Sequence, residues 1–124
     1  MMKKLLPLVL LPLMLAGCAT TFTNLTSLRQ PRNANNLYMV EVAFTTRQQS
    51  LQWETIQPQV VVGSEFIPMH ATPLMKNRWE ALIPVPAGAR EVRYQYKFDF
   101  QYNAFGPRQT DSARSPGYVL RITD

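Results

Sequence analysis

The sequence predicts an all-β fold, and three features of it do so. Val92 to Tyr102 alternate strictly, with Val92, Tyr94, Tyr96, Phe98, Phe100 and Tyr102 on one face and Arg93, Gln95, Lys97, Asp99 and Gln101 on the other. A helix would scatter both sets around its circumference, whereas a strand separates them. Tyr38, Val40, Val42 and Phe44 alternate with Met39, Glu41, Ala43 and Thr45, a β-branched and aromatic pattern suited to a half-buried strand. Ten prolines and five glycines in 124 residues divide the chain into short elements with many turns.

The first 17 residues read as a leader. Lys3 and Lys4 form a positive start, and Leu5 to Ala16 follow as twelve residues that are apolar apart from Pro7 and Pro12. As a helix this run would span roughly 18 Å, against a bilayer core about 30 Å thick. It is too short for a stable transmembrane anchor and fits a cleaved signal. The mature chain then has 107 residues, the size of one domain. Its net charge falls from +5 to about +3, which is not the footprint of a nucleic-acid binder. The single cysteine, Cys18, excludes an internal disulfide and any multi-thiolate metal site.

Residues 18–36 are rich in Thr, Asn, Ser and Arg, and no period persists over them. Most of this segment reads as a flexible tether, reaching at most about 60 Å when fully extended. Phe22, Leu25 and Leu28 interrupt the polarity and could dock as an irregular first strand, with Pro31 marking the bend into the domain.

The domain proper is expected over residues 37–124. After the strand at Leu37, shorter strands are expected over Leu51–Ile56 and Gln59–Val62, separated by Pro58. Gly63-Ser64 is a tight turn into Glu65–His70. Arg78–Val85 is a strand that Pro86-Ala87-Gly88 turns back into the long aromatic strand as a hairpin. Tyr118–Thr123 closes the chain after Ser115-Pro116-Gly117. About seven short strands at this spacing suggest a β-sandwich of the immunoglobulin-like class.

Two stretches resemble known families. Leu15-Ala16-Gly17-Cys18, behind its apolar run, resembles the lipobox of bacterial lipoproteins. The resemblance implies a diacylglycerol thioether on Cys18, cleavage before it, and acylation of the new amino terminus. Two or more chains give stable anchoring, at about 0.8 kcal/mol per buried CH₂. Ala19 is not the aspartate that commonly retains such proteins in the inner membrane. The implied place is therefore the outer membrane, with the domain facing the periplasm. The other reading of the leader, an ordinary secretory signal, leaves an exposed thiol in an oxidising compartment. Trp79-Glu80-Ala81-Leu82-Ile83-Pro84-Val85-Pro86-Ala87-Gly88, followed by Tyr94-Gln95-Tyr96-Lys97-Phe98-Asp99, is similar to the central hairpin of early-set immunoglobulin-like domains, among them starch- and glycogen-binding modules. The comparable upstream stretch, Ser64-Glu65-Phe66-Ile67-Pro68, lacks the tryptophan usual in that family.

Little in the chain points to catalysis. His70 is the only histidine and reads as a solvated or strand-end residue, and the eight carboxylates are spread singly. Neither a glycine-rich phosphate loop nor a Gly-x-Ser-x-Gly elbow occurs in the sequence. No enzyme activity, metal or cofactor is expected. The aromatic row of residues 94–102 reads as core, and Arg90, Arg93 and Lys97 as a solvated basic patch. Asn103–Arg114 is a long polar connection carrying Phe105, Arg108 and Arg114, the composition of a partner-binding loop on a rigid sandwich. The leading expectation is a lipid-anchored, non-catalytic adaptor that binds an envelope protein. The alternative is a glycan-binding module using Trp53 or Trp79.

Overall fold

A computed structural model describes residues 20–46, 51–103 and 106–124. Ten strands follow one another among them: β1 (Thr20–Asn24), β2 (Arg29–Pro31), β3 (Leu37–Thr46), β4 (Leu51–Val62), β5 (Glu65–Pro68), β6 (His70–Ala71), β7 (Arg78–Pro84), β8 (Glu91–Tyr102), β9 (Gln109–Arg114) and β10 (Tyr118–Thr123). Among the described residues there is no helix. One sheet has the order β1-β3-β7-β6 and the other β2-β10-β8-β4-β5, with β9 also paired to β8. The first carries the A-B-E-D order and the second the C-F-G order of an immunoglobulin-like sandwich.

The flexible tether expected over residues 18–36 is corrected over Thr20–Pro31, which are structured. β1 pairs antiparallel with β3 from Thr20↔Thr46 to Asn24↔Val42. β2 pairs in parallel with β10, Arg29↔Arg121 to Pro31↔Thr123. The physical reason is Phe22, whose ring lies 5.0 Å from Phe44 and 5.1 Å from Phe98. One aromatic residue docked into the core outweighs the polarity of its neighbours, as the docking expected for Phe22 allowed, and the sandwich includes Thr20–Pro31 as well as the residues from 37 onward. These two strands, the very short β6 and the unexpected β9 are four more than expected, and the strands expected on either side of Pro58 run on as the single β4, which gives ten.

A second correction concerns the hairpin expected around Pro86-Ala87-Gly88. β7 pairs with β3 and β6, whereas β8 pairs with β4, β9 and β10, so the turn carries the chain from one sheet to the other. Gly88 supplies the positive φ of 85° at this corner, and Val85 is buried beneath it. Crossing over lets the aromatic row of β8 face β3 and β7 instead of lying beside them. The same switch splits the strand expected at Glu65–His70. β5 stays with β4, Met69 is buried at the change-over, and β6 joins β7.

The inner faces then meet as the alternation demands. Tyr96 and Phe98 from β8, Val40, Val42 and Phe44 from β3, Ile83 from β7, Val60 from β4 and Leu120 from β10 are all fully buried. Phe98 is the hub: its ring lies 4.9 Å from Phe44 and 5.1 Å from Trp79. Truncating a buried aromatic of this kind costs about 3–5 kcal/mol.

Polar groups inside the sandwich are tied to the amino-terminal segment. The Tyr96 hydroxyl donates to Asn24 Oδ1 (2.7 Å) and lies 3.0 Å from Thr26 Oγ1. Asn24 Nδ2 donates to the Tyr94 hydroxyl at 2.8 Å, and the Glu41 amide donates to Thr26 Oγ1 at 2.9 Å. Burial pushes the Tyr96 phenol well above the ordinary tyrosine range, so the hydroxyl stays neutral and available as a donor. At the break between β9 and β10, Ser115 takes the place of a strand: its hydroxyl accepts the Tyr96 amide at 2.8 Å, and its own amide donates to the Tyr96 carbonyl at 3.0 Å.

Two predictions test this architecture by urea denaturation of the soluble domain. Tyr96→Phe removes the hydroxyl that Asn24 Oδ1, Thr26 Oγ1 and the Glu41 carbonyl share and should cost about 1–3 kcal/mol. Deleting residues 19–31 should abolish cooperative unfolding, because it uncovers Phe44 and Phe98 and opens the edges of β3 and β10. A true tether could be removed without effect.

Candidate functional sites

The register gives the sandwich two distinct ends. Thr20 pairs with Thr46 at the start of β1, and Leu51 pairs with Tyr102 at the start of β4. The ring contacts of Phe44 with Phe98, Phe100 and Trp53 bring these pairs to the same end. The opposite end holds Leu37↔Pro84, the Gly88 corner and the close of β10.

Trp53 is displaced from the ladder at the amino-terminal end. Gln52 pairs with Gln101 and Gln57 with Asp99, so residues 53–56 bulge opposite Phe100 alone. Thr55 repairs the gap: its hydroxyl accepts the Gln101 amide at 2.9 Å and donates to the Gln52 carbonyl at 2.6 Å. Trp53 is thereby pushed outward, 42% exposed, with its ring edge-on to Phe44 at 6.3 Å. Trp79 lies on the other sheet and faces inward against Phe98 as part of the core periphery. The two tryptophans therefore sit on different sheets and contact different rings.

The connection between β6 and β7 closes the same end. Thr72-Pro73-Leu74-Met75-Lys76-Asn77 is anchored by the Thr72 amide on the Arg78 carbonyl (2.9 Å) and the Phe44 amide on the Asn77 carbonyl (3.0 Å). Leu74 adopts φ +63° and Asn77 φ +61°. Leu74 is fully exposed and Met75 43% exposed.

The connection expected over Asn103–Arg114 is half strand: its last six residues are β9, paired with β8 from Tyr102↔Gln109 to Lys97↔Arg114. Arg108 and Arg114 are exposed at either end of that strand, and Phe105 lies outside the described residues, as does Cys18. Only Ala113 in β9 is half-buried. Of the expected basic patch, Lys97 is spoken for, with Nζ 2.8 Å from Asp99 Oδ1 and 5.9 Å above the Phe66 ring. His70 is exposed, 3.4 Å from Glu80 Oε1, at the strand position expected for it. Among the described residues no three His, Cys, Asp or Glu side chains gather as metal ligands would.

Two features escaped the sequence. On the solvent face of the four-stranded sheet, Met39 pairs with Leu82 and Leu37 with Pro84. Leu37, Met39 and Leu82 are 39–49% exposed, and Leu25 lines a shallow cleft of about 360 Å³ with Met39. Leu25 was expected as a docking residue and not as part of an exposed face, and single apolar residues at alternate polar positions carry no periodic signal. At the far end, Arg29, Arg90 and Arg121 line a groove of about 540 Å³ with Glu91. Arg29 belongs to the segment expected to be flexible, so its pairing with Arg121 was invisible in the sequence.

Comparison with protein-family models, curated proteins and solved structures returned no match.

The Arg32–Asp124 pair (2.7 Å) closes the far end, and the guanidinium holds the Asp124 carboxyl below its usual range. A lowered carboxyl pKa contributes stability above the ordinary value and loses it as pH falls through the lowered one. Arg32→Ala should therefore raise the Asp124 titration midpoint toward the ordinary carboxylate value, read by side-chain carbonyl NMR.

Proposed function

We propose that this protein is a lipid-anchored envelope protein whose sandwich serves as a non-catalytic protein-interaction module. The lipid part rests on the lipobox resemblance of Leu15-Ala16-Gly17-Cys18. Thr20, two residues after Cys18, is already paired in β1, so cleavage before Cys18 would leave the anchored cysteine close to the fold. By the same resemblance, Ala19 directs the protein to the outer membrane with the domain facing the periplasm.

The interaction reading is carried by one observation, the apolar patch of Leu37, Met39 and Leu82 with Leu25 at its border. Apolar side chains brought together across paired strands form a contiguous exposed patch, the kind of surface that marks interaction sites. It lies toward the end away from Thr20, where an envelope protein could reach it. Arg114 on β9 and Arg108 just before it supply a second, polar contact line. The other reading, glycan binding, is favoured by the half-exposed ring of Trp53 and not by Trp79, which is packed on Phe98.

Cys18→Ser should block processing and move the protein from the membrane to the soluble fraction; a cleaved, membrane-bound Cys18→Ser form overturns the anchor. A photo-crosslinker at Leu82 in living cells should capture one defined protein, and Met39→Asp should abolish that capture. Capture unchanged by Met39→Asp, or none at all, overturns the patch. Saturable quenching of Trp53 by starch-like or peptidoglycan fragments would instead support the glycan reading.

A further inference from the structure

We infer that the amino-terminal end of the sandwich seats directly on the bilayer, with Leu74 and Met75 inserted at the lipid interface and Trp53 beside them. The inference rests on the lipid anchor proposed above and goes beyond it, because an anchor alone leaves the domain's orientation free.

Covalent reach comes first. Two peptide units join Cys18 to Thr20, and they span at most about 7 Å. Thr20 is the first residue of β1 and is held in the ladder opposite Thr46. A lipid on Cys18 therefore brings the Thr20 end of the sandwich to the membrane surface, without the roughly 60 Å of slack that an unpaired segment would allow.

The chemistry displayed at that end suits an interface. Leu74 is fully exposed and holds φ +63°, a conformation that a bulky L-residue adopts only at a cost. Paying both exposure and backbone strain to present a leucine makes sense where the leucine is not facing water. Met75 follows it at 43% exposure, and the Trp53 ring is 42% exposed at the same end. Tryptophan favours the headgroup level, where one edge is apolar and the other wet. Lys76 is exposed directly after Met75. Its long stem suits an apolar boundary with the charge kept among anionic headgroups. Asp111 lies level with Phe100, two residues back from the Tyr102 end of β8, and Glu54 shares the bulge of Trp53 at that same level, behind Leu74 and Met75 as the leading apolar contacts. The occupant is thus the lipid surface already joined to the chain.

The test uses the mature lipidated protein in vesicles of phosphatidylethanolamine and phosphatidylglycerol. Cys18 is consumed by the lipid, so a nitroxide can be placed singly at Leu74→Cys or, at the far end, at Ser64→Cys. Collision with oxygen and with a water-soluble nickel chelate then reports depth. The expected result is a positive depth parameter at position 74 and a negative one at 64. Leu74→Asp, with the nitroxide moved to Met75→Cys, should return position 75 to the aqueous value while the protein still floats with the vesicles; full exposure of Leu74 makes this change harmless to folding. Equal aqueous values at 74 and 64 overturn the seating while leaving the anchor intact. Protection of position 74 from both colliders means protein cover and overturns it too. Failure to float overturns the anchor and the seating together.

Discussion

Phe98 sits where two sheets, two edges and the amino-terminal segment converge. Its ring is in contact with Phe22 from β1, Phe44 from β3 and Trp79 from β7, so three strands of one sheet close on a single residue of the other. Everything else in the architecture is arranged to let β8 deliver that residue. β8 needs strands on both of its edges, and it obtains them from β4 on one side and from β10, Ser115 and β9 in succession on the other. The chain must cross between sheets at Gly88 so that the aromatic row faces its partners. The same constraint recruits β1, because Phe22 completes the aromatic cluster.

How much of this was legible in the sequence follows from the range of the signals. Period-two alternation is local, and it located β3 and β8 nearly to the residue, while the turn at Ser115-Pro116-Gly117 placed β10. Partner choice is not local. The turn at Pro86-Ala87-Gly88 has hairpin chemistry, yet its two strands belong to opposite sheets. A strand of five residues with one aromatic, such as Thr20–Asn24, gives alternation too short to fix its partner or register; Phe22 marked only that this stretch could dock. β2 has no pattern at all; it exists because β10 offers it a free edge. The bulge at Trp53 was equally silent, since a threonine hydroxyl substituting for a backbone group leaves no periodic trace.

The candidate sites divide the same way. His70 and the aromatic row stand where their residue types placed them, as a solvated strand residue and as core. Trp79 proved to be packing, whereas Trp53 is presented to solvent; both lie in segments rich enough in apolar residues that composition alone could not separate them. The apolar face of Leu37, Met39 and Leu82 arises from cross-strand pairing, and the exposed Leu74 from a positive φ. Pairing and backbone sign are properties of the folded chain.

The direction of β1 has a mechanical consequence. Backbone hydrogen bonds of an antiparallel ladder run perpendicular to the strands. β1 enters at one end of the sandwich and runs along its length, five residues in register with β3. A load between the amino terminus and a partner gripping the far end would pull along the strand axis. All five pairs would then resist together in shear, instead of parting one by one as in peeling. The segment nearest the point of attachment thus has the geometry of a strain-bearing clamp, and its failure would be abrupt.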